Sequence, residues 1–302
     1  MRPEQLHVIA VMSNPVRYQS RIRLFQEFVE RTKHAGVTLW LGEAVFGERE
    51  FEVSKIEGAE CIQFRCDQEI WLKEALINAV ARFLPLDARY IMWLDADVTF
   101  VKSDWAVETL QQLQNYKVVQ AFQHAIDLGP DQEMIQNHQG FAFRHCAFRQ
   151  VPVPNYGTHM HPGYAWAWRR DAWDSVGGML DMAICGAGDH HMACGLVGHA
   201  GLSVPGGLHS NYLADVLAWQ ERAKESVNGH LGFVPGTILH HFHGWKADRK
   251  YIDRWDILKS NNFDPHVDIT RDSQGMLRLR GNKPRLRDDL QRYFRQRNED
   301  AR

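Results

Sequence analysis

A strongly apolar strand that ends in two carboxylates constrains this chain more than any other feature: Arg89-Tyr90-Ile91-Met92-Trp93-Leu94 runs straight into Asp95-Ala96-Asp97. A continuous apolar run of this kind suits a strand buried on both faces of a mainly parallel sheet, and open α/β sheets bind ligands beyond the carboxyl ends of such strands. Two acids one residue apart at that point offer hard oxygen donors to Mg²⁺ or Mn²⁺, ions that bridge carboxylates to the oxygens of a diphosphate. The simpler alternative is an acidic turn after a strand, since Asp is common in turns.

The surrounding pattern alternates strands and helices, which points to an α/β layer architecture. Leu6 to Met12 is a strand. Ser20 is a plausible N-cap for a helix with the apolar stripe Ile22, Phe25, Phe28, Val29 and Thr32, stopped by Gly36. Val37 to Leu41 and Ala59 to Phe64 are further strands. Asp67 caps a helix with stripe Leu72, Leu76, Val80 and Phe83, and Gly163 to Trp168 is extended. Residues 123 to 160 lack periodicity and are expected to form a long functional loop or small subdomain. With 302 residues, 44% of them hydrophobic, the chain can bury one large core. A formal net charge of −2 gives no global attraction to nucleic acid or an anionic membrane. No apolar run approaches the roughly 20 residues that span a bilayer, so a cytoplasmic location is the default expectation. The five cysteines form no Cys-x-x-Cys pair, which argues against a zinc ribbon or a disulfide framework.

Two further clusters carry candidate chemistry. In His240-His241-Phe242-His243-Gly244-Trp245-Lys246, imidazoles two apart on an extended segment face the same side, so His241 and His243 could meet one ion; a hydrogen-bonded pair beside Trp245 is the structural alternative. Lys246 and Arg249 follow as charge partners for a departing diphosphate. In Gly186-Ala187-Gly188-Asp189-His190-His191, Asp189 suits a helix N-cap, and a carboxylate at a glycine turn can also act as a general base on a hydroxyl. The tail differs in charge: from Arg278 to Arg297 eight Lys or Arg residues face two acids, as a solvated helix or a phosphate-binding surface.

In order along the chain, these motifs resemble glycosyltransferases of the GT-A fold, nearest in pattern to the β-1,4-galactosyltransferase-like group and its bacterial and phage relatives. The resemblance covers roughly residues 6 to 260 and implies a GT-A (Rossmann-like) three-layer α/β fold with a mainly parallel central sheet, spanning residues 1–265, followed by a basic C-terminal extension at 266–302. Ser13-Asn14-Pro15-Val16-Arg17 is similar to that group's nucleotide-contacting loop, and Trp71-Leu72-Lys73-Glu74-Ala75-Leu76-Ile77-Asn78 to its donor-facing helix. These imply that Asn14, Arg17, Lys73 and Asn78 bind the donor. Asp95-Ala96-Asp97 matches the metal-binding Asp-x-Asp, with Asp95 also on the nucleotide, and His241 or His243 matches the late histidine ligand. The resemblance further implies a base at Asp189, or at His190 where the family commonly has a second acid. It assigns His161, Gly163, Trp166 and Gly188 to the acceptor and sugar pocket.

The activity implied is Mn²⁺- or Mg²⁺-dependent transfer of a sugar from a nucleotide sugar, a UDP-sugar first, to a hydroxyl, with inversion if the base is real. A sugar nucleotidyltransferase would need a glycine-rich loop after the first strand, and Ser13 to Arg17 has no glycine. A catalytically inactive sugar- or nucleotide-binding module is the remote alternative. The basic tail and the phage relatives point to hydroxymethylated pyrimidines in DNA as acceptor, in a host cytoplasm if phage-encoded, and a cell-surface or lipid-linked glycan is the alternative.

Overall fold

The computed structural model describes residues 2–53, 58–152 and 160–301. In chain order the elements are β1 (Leu6–Ser13), α1 (Gln19–Lys33), β2 (Thr38–Phe46), β3 (Glu60–Cys66), α2 (Lys73–Ala81), β4 (Tyr90–Leu94), β5 (Val98–Phe100), α3 (Trp105–Asn115), β6 (Val118–Gln120), β7 (His124–Leu128), β8 (Met134–Gly140) and α4 (Phe141–Phe148). They continue as β9 (Met160–His161), β10 (Ala165–Arg169), α5 (Arg170–Val176), α6 (Gly188–Leu196), α7 (Ser210–Ser226), β11 (Leu231–Phe233), β12 (Thr237–His240), α8 (Trp255–Ser260), α9 (Pro265–Asp268), β13 (Ile269–Arg271), β14 (Leu277–Leu279) and α10 (Pro284–Gln296).

Seven strands form the central sheet in the order β11-β6-β10-β4-β1-β2-β3. Every pairing is parallel except those of β10, which runs antiparallel between β4 and β6. Side chains alternate across it and feed two cores. Val8, Ala10, Met92 and Leu94 pack with Phe25 and Phe28 of α1 and Leu110 of α3, whereas Ile9, Ile91, Trp93, Trp166 and Trp168 pack on the α2, α5, α6 and α7 side. This is the three-layer α/β arrangement that the buried apolar strands require. Strand order reverses at β1, between β2 and β4, and the segments following β1 and β4 therefore open onto one crevice.

A second sheet, β5-β12-β7-β8-β9, stands beyond those strand ends. It decides between the long loop and the small subdomain expected from 123 to 160 in favour of the latter: within the described residues that stretch holds β7, β8, α4 and the start of β9, and 153–159 lie outside them. The β7–β8 hairpin escaped sequence patterning because β8 is mostly polar and shows no apolar alternation.

Three helix starts also differ from expectation. Residues 67 to 72 are not helical; Trp71 N donates instead to Ile184 O at 3.2 Å, and α2 begins at Lys73. Asp189 lies within the first turn of α6, whose N-cap is Ala187. Ser20 does not cap α1, because Asp300 accepts from Gln19 N at 3.0 Å and Ser20 N at 2.8 Å. The tail thus reaches back across the molecule. Ile269, Leu277, Leu279, Leu286 and Leu290 join the core around Trp93 and Trp166, so the described residues of the tail pack as part of the same body. No helix among the described residues is long and apolar enough to cross a membrane.

Candidate active site

Pairing of β5 with β12 explains how Asp97 meets residues more than 140 positions later. His240 lies opposite Val98 in that antiparallel ladder, and His241 N donates to Asp97 O at 2.8 Å. Asp97 Oδ2 is then 2.7 Å from His243 Nε2 and 3.8 Å from His240 Nε2, and the ligand atoms of Asp97, His240 and His243 lie within 4.8 Å of one another. Asp97 Oδ1 is buried with no hydrogen-bond partner among the described residues. A buried, unpartnered carboxylate oxygen beside two imidazoles fits a divalent ion of the Mn²⁺ type, which takes both oxygen and nitrogen donors.

His241, expected as a ligand, turns away and meets Thr99 Oγ1 at 2.8 Å. The period-two argument fails because β12 ends at His240 and the chain bends through Gly244 at φ 86°. His240 takes the place assigned to His241. Asp95, the other expected ligand, pairs with Lys73 at 2.6 Å, and Lys73 Nζ sits 4.6 Å above the Trp93 ring. Burial, with Asp97 adding repulsion, brings the Asp95 carboxyl up to about 6 against the opposing Lys73. Burial pushes Asp97 in the same direction, but His240, His243, Arg21 and Arg249 outweigh it and bring it down to about 2. Of the two acids, Asp97 is the firmly ionised one.

Behind His240 lies Asp127 on β7, a residue that sequence patterning missed. Its Oδ1 accepts from His240 Nδ1 at 2.8 Å and Tyr164 OH at 3.0 Å, and its Oδ2 meets His138 Nε2 at 2.5 Å and the Lys246 ammonium. Lys246, expected on the diphosphate, is thereby engaged, and it also donates to Gln136 Oε1 at 2.9 Å. Burial would raise the Asp127 carboxyl, yet these donors hold it well below the usual range.

Another part of the site is built around the start of α6. Gly186 (φ 89°) and the non-glycine Ala187 (φ 83°) turn the chain, and Tyr164, also left-handed at φ 75°, bends the segment that faces them. Such strained backbone is tolerated where surrounding structure over-determines it, commonly at functional sites. A Cβ on Gly163 would stand 2.7 Å from Asp189 Oδ2, so only glycine leaves the carboxylate its place. Gly188 likewise admits Glu74, whose Cγ would be 2.6 Å from an added Cβ. Glu74 is 2% exposed and accepts from Trp71 Nε1 at 2.7 Å; burial brings its carboxyl up to about 7, with Asp189 adding and Lys73 opposing. Burial lowers His190 to about 4 despite Asp189 beside it, leaving a neutral imidazole. His161 stacks on Tyr164, with ring centroids 3.9 Å apart, and burial keeps it neutral as well.

One cavity of about 550 Å³ takes in both parts. Asn14, Lys73, Asp95, Asp97, His161, Gly163, Asp189, His190, His243, Lys246 and Arg249 line it. Five expected residues do not. Arg17 is half exposed and holds Glu52 at 2.7 Å, Asn78 tethers Met179 O at 2.9 Å and Asp181 Oδ2 at 3.1 Å, and Trp166 is fully buried with Nε1 on Pro162 O. Gly188 makes room for Glu74 behind the wall, and His241 faces Thr99. Sequence patterning also missed Arg21, Arg254 and Glu299 on the wall, where Arg297 of the basic tail joins them. Glu299, 1% exposed, bridges Arg21 and Arg297, the latter at 2.5 Å; nothing local in the tail signals that it folds into the cavity.

No family model matches the chain, and no curated protein matches it. Solved structures similar to it include the mannosyltransferase PcManGT from Pyrobaculum calidifontis in complex with GDP-Man and Mn²⁺, at 12% identity and TM-score 0.43 over 85% of this chain. This chain spans 61% of that protein's length. The catalytic domain of Drosophila β1,4-galactosyltransferase 7 in complex with xylobiose aligns at 11% identity and TM-score 0.42, over 93% of this chain and 98% of the other. The 4-diphosphocytidyl-2C-methyl-D-erythritol synthase from Anaerococcus prevotii aligns at 9% identity and TM-score 0.37, over 78% and 88%. At such similarity, function has to be argued from this chain's own side chains.

Proposed function

We propose that this protein is a metal-dependent glycosyltransferase that moves a sugar from a nucleotide sugar to a hydroxyl acceptor, with inversion. The observation that supports it is the one cavity lined both by the Asp97, His240 and His243 group and by the Asp189 carboxylate beside Gly163. A divalent ion held by Asp97, His240 and His243 would neutralise the negative charge that develops on a departing diphosphate. Lys73 and Arg249 add positive charge near it, and Asn14 lines the same side at the end of β1. Asp189 accepts the proton of the attacking hydroxyl, since it combines a place on the cavity wall with a carboxylate that Gly163 leaves unobstructed. Direct displacement by that hydroxyl inverts the sugar carbon.

The test is incubation with a panel of nucleotide sugars with and without Mn²⁺, followed by detection of nucleoside diphosphate and of transfer. Nucleoside diphosphate release that needs Mn²⁺ and Asp97 supports the proposal. Binding without turnover would favour an inactive module, and sugar-1-phosphate released from a nucleotide sugar with pyrophosphate would favour nucleotidyl transfer.

For the acceptor, hydroxymethylated pyrimidines in DNA remain the proposal, and a glycan is the second. Surface charge lends DNA little support. The basic tail residues are internally paired: Arg278 with Asp67, Lys283 with Asp268, Arg285 and Arg292 with Asp289, Arg287 with Asp288, Arg295 with Glu69, Arg297 with Glu299, and Arg280 with Ile269 O. Nucleoside mass spectrometry of hydroxymethylcytosine-containing DNA after incubation with donor decides between them.

A further inference from the structure

We infer that Asp127 is the positioning residue of the metal site, the group that makes His240 a ligand by fixing its tautomer. The inference rests on the metal site of the preceding proposal. It begins with backbone register: β7 and β12 are parallel neighbours, and Asp127 is the direct partner of His240 in their ladder. That places the carboxylate against the imidazole before any side chain is considered. Asp127 is 3% exposed, and each of its oxygens has two partners, so it has no position left for an ion of its own.

The direction of the hydrogen bonds follows from the partners. The Lys246 ammonium has no lone pair and must donate to Oδ2, and the carboxylate is an acceptor towards His240 Nδ1. The proton of a neutral His240 therefore resides on Nδ1, and the Nε2 lone pair faces Asp97 Oδ2 at 3.8 Å, where an ion has room to enter between them. His243 differs. The Arg249 guanidinium lies against both of its ring nitrogens, Nε2 at 3.3 Å, and Nε2 also meets Asp97 at 2.7 Å, so no carboxylate behind the ring fixes its tautomer. Of the two imidazoles, His240 is the one whose tautomer a carboxylate on its far side fixes, with the Nε2 lone pair directed at Asp97. Outer carboxylates of this kind orient a ligating histidine and raise its basicity, and their loss costs about 10- to 100-fold in metal affinity.

The experiment is a Mn²⁺ titration of chelator-stripped protein followed by electron paramagnetic resonance, with no sugar donor present. Asp127→Ala should bind Mn²⁺ roughly 10- to 100-fold more weakly than the parent. Asp127→Asn, whose carbonyl can still accept the Nδ1 proton, should fall between them and is the measurement to use if the Ala variant does not fold. His240→Ala should weaken binding similarly, and adding Asp127→Asn to it should cost nothing more, because the carboxylate acts through the imidazole. A purely structural role would instead lower affinity equally in both backgrounds. Equal affinity in the parent and the Asp127 variants, an undiminished loss in the His240→Ala background, or no Mn²⁺ binding by the parent would overturn the inference. Mn²⁺ binding in the expected order without any glycosyl transfer would overturn the transferase proposal and leave this one standing.

Discussion

Gly163→Ala isolates the base from the rest of the site. The added methyl would lie 2.7 Å from Asp189 Oδ2 and 3.3 Å from His161 Cε1, and Gly163 has no left-handed φ, so the backbone accepts alanine. Ordinary van der Waals contact begins near 3.4 Å, so the carboxylate must retreat by about 0.7 Å. If the wall resists, overpacking costs about 1–3 kcal/mol of stability. If the carboxylate yields, a displacement approaching 1 Å costs up to about 100-fold in rate. The expected outcome is a kcat lower by roughly 10- to 100-fold, with Mn²⁺ affinity and donor KM unchanged because the atoms nearest the added methyl belong to Asp189 and His161 and not to Asp97, His240 or His243. Initial rates at saturating donor, with calorimetry for Mn²⁺, measure both. A kcat within about twofold of the parent, in a variant of unchanged melting temperature, would show that Asp189 is not the proton acceptor or that its position does not matter.

Asp97→Asn should weaken Mn²⁺-dependent donor binding by more than the roughly 10- to 100-fold expected of an outer partner, with the fold intact; unchanged calorimetric affinity would remove Asp97 from the metal site. Asp189→Asn should cost about 10²- to 10⁴-fold in turnover while donor binding persists, and near-normal turnover would move attention to His190. Glu74 has a folded carboxyl raised from 4.5 to about 7 by burial, so its neutral form favours folding: that stability is complete below about pH 4.5 and is lost as pH rises through 7. Glu74→Gln should therefore match the parent near pH 4 and exceed it by up to roughly 3 kcal/mol above pH 7, and a difference independent of pH in denaturant titrations would refute the assignment. Replacing Arg285, Arg292 and Arg295 with Gln tests DNA as acceptor: each lost phosphate contact lowers the salt slope of binding by about one unit, and an unchanged slope leaves α10 a docked helix whose charges pair internally.

What lies close together in sequence was legible there. The apolar run into Asp95 and Asp97 shows a buried strand with acids at its end, because a strand buried on both faces leaves a continuous hydrophobic signal. Leu286, Leu290 and Phe294 mark the docked face of α10, and Phe25, Phe28 and Val29 that of α1, since a helix writes its buried stripe at a period of 3.6. Only the tertiary structure decided which histidines meet Asp97. Alternation favours His241, but strand register across β5, β12 and β7 selects His240 and sets Asp127 behind it, and that register depends on segments more than 100 residues apart. The same holds for Asp300 capping α1 and for Glu299 pairing with Arg21 on the cavity wall. A local pattern records which face of an element is buried, whereas the partner it meets is set by how the chain returns, and no periodicity encodes that.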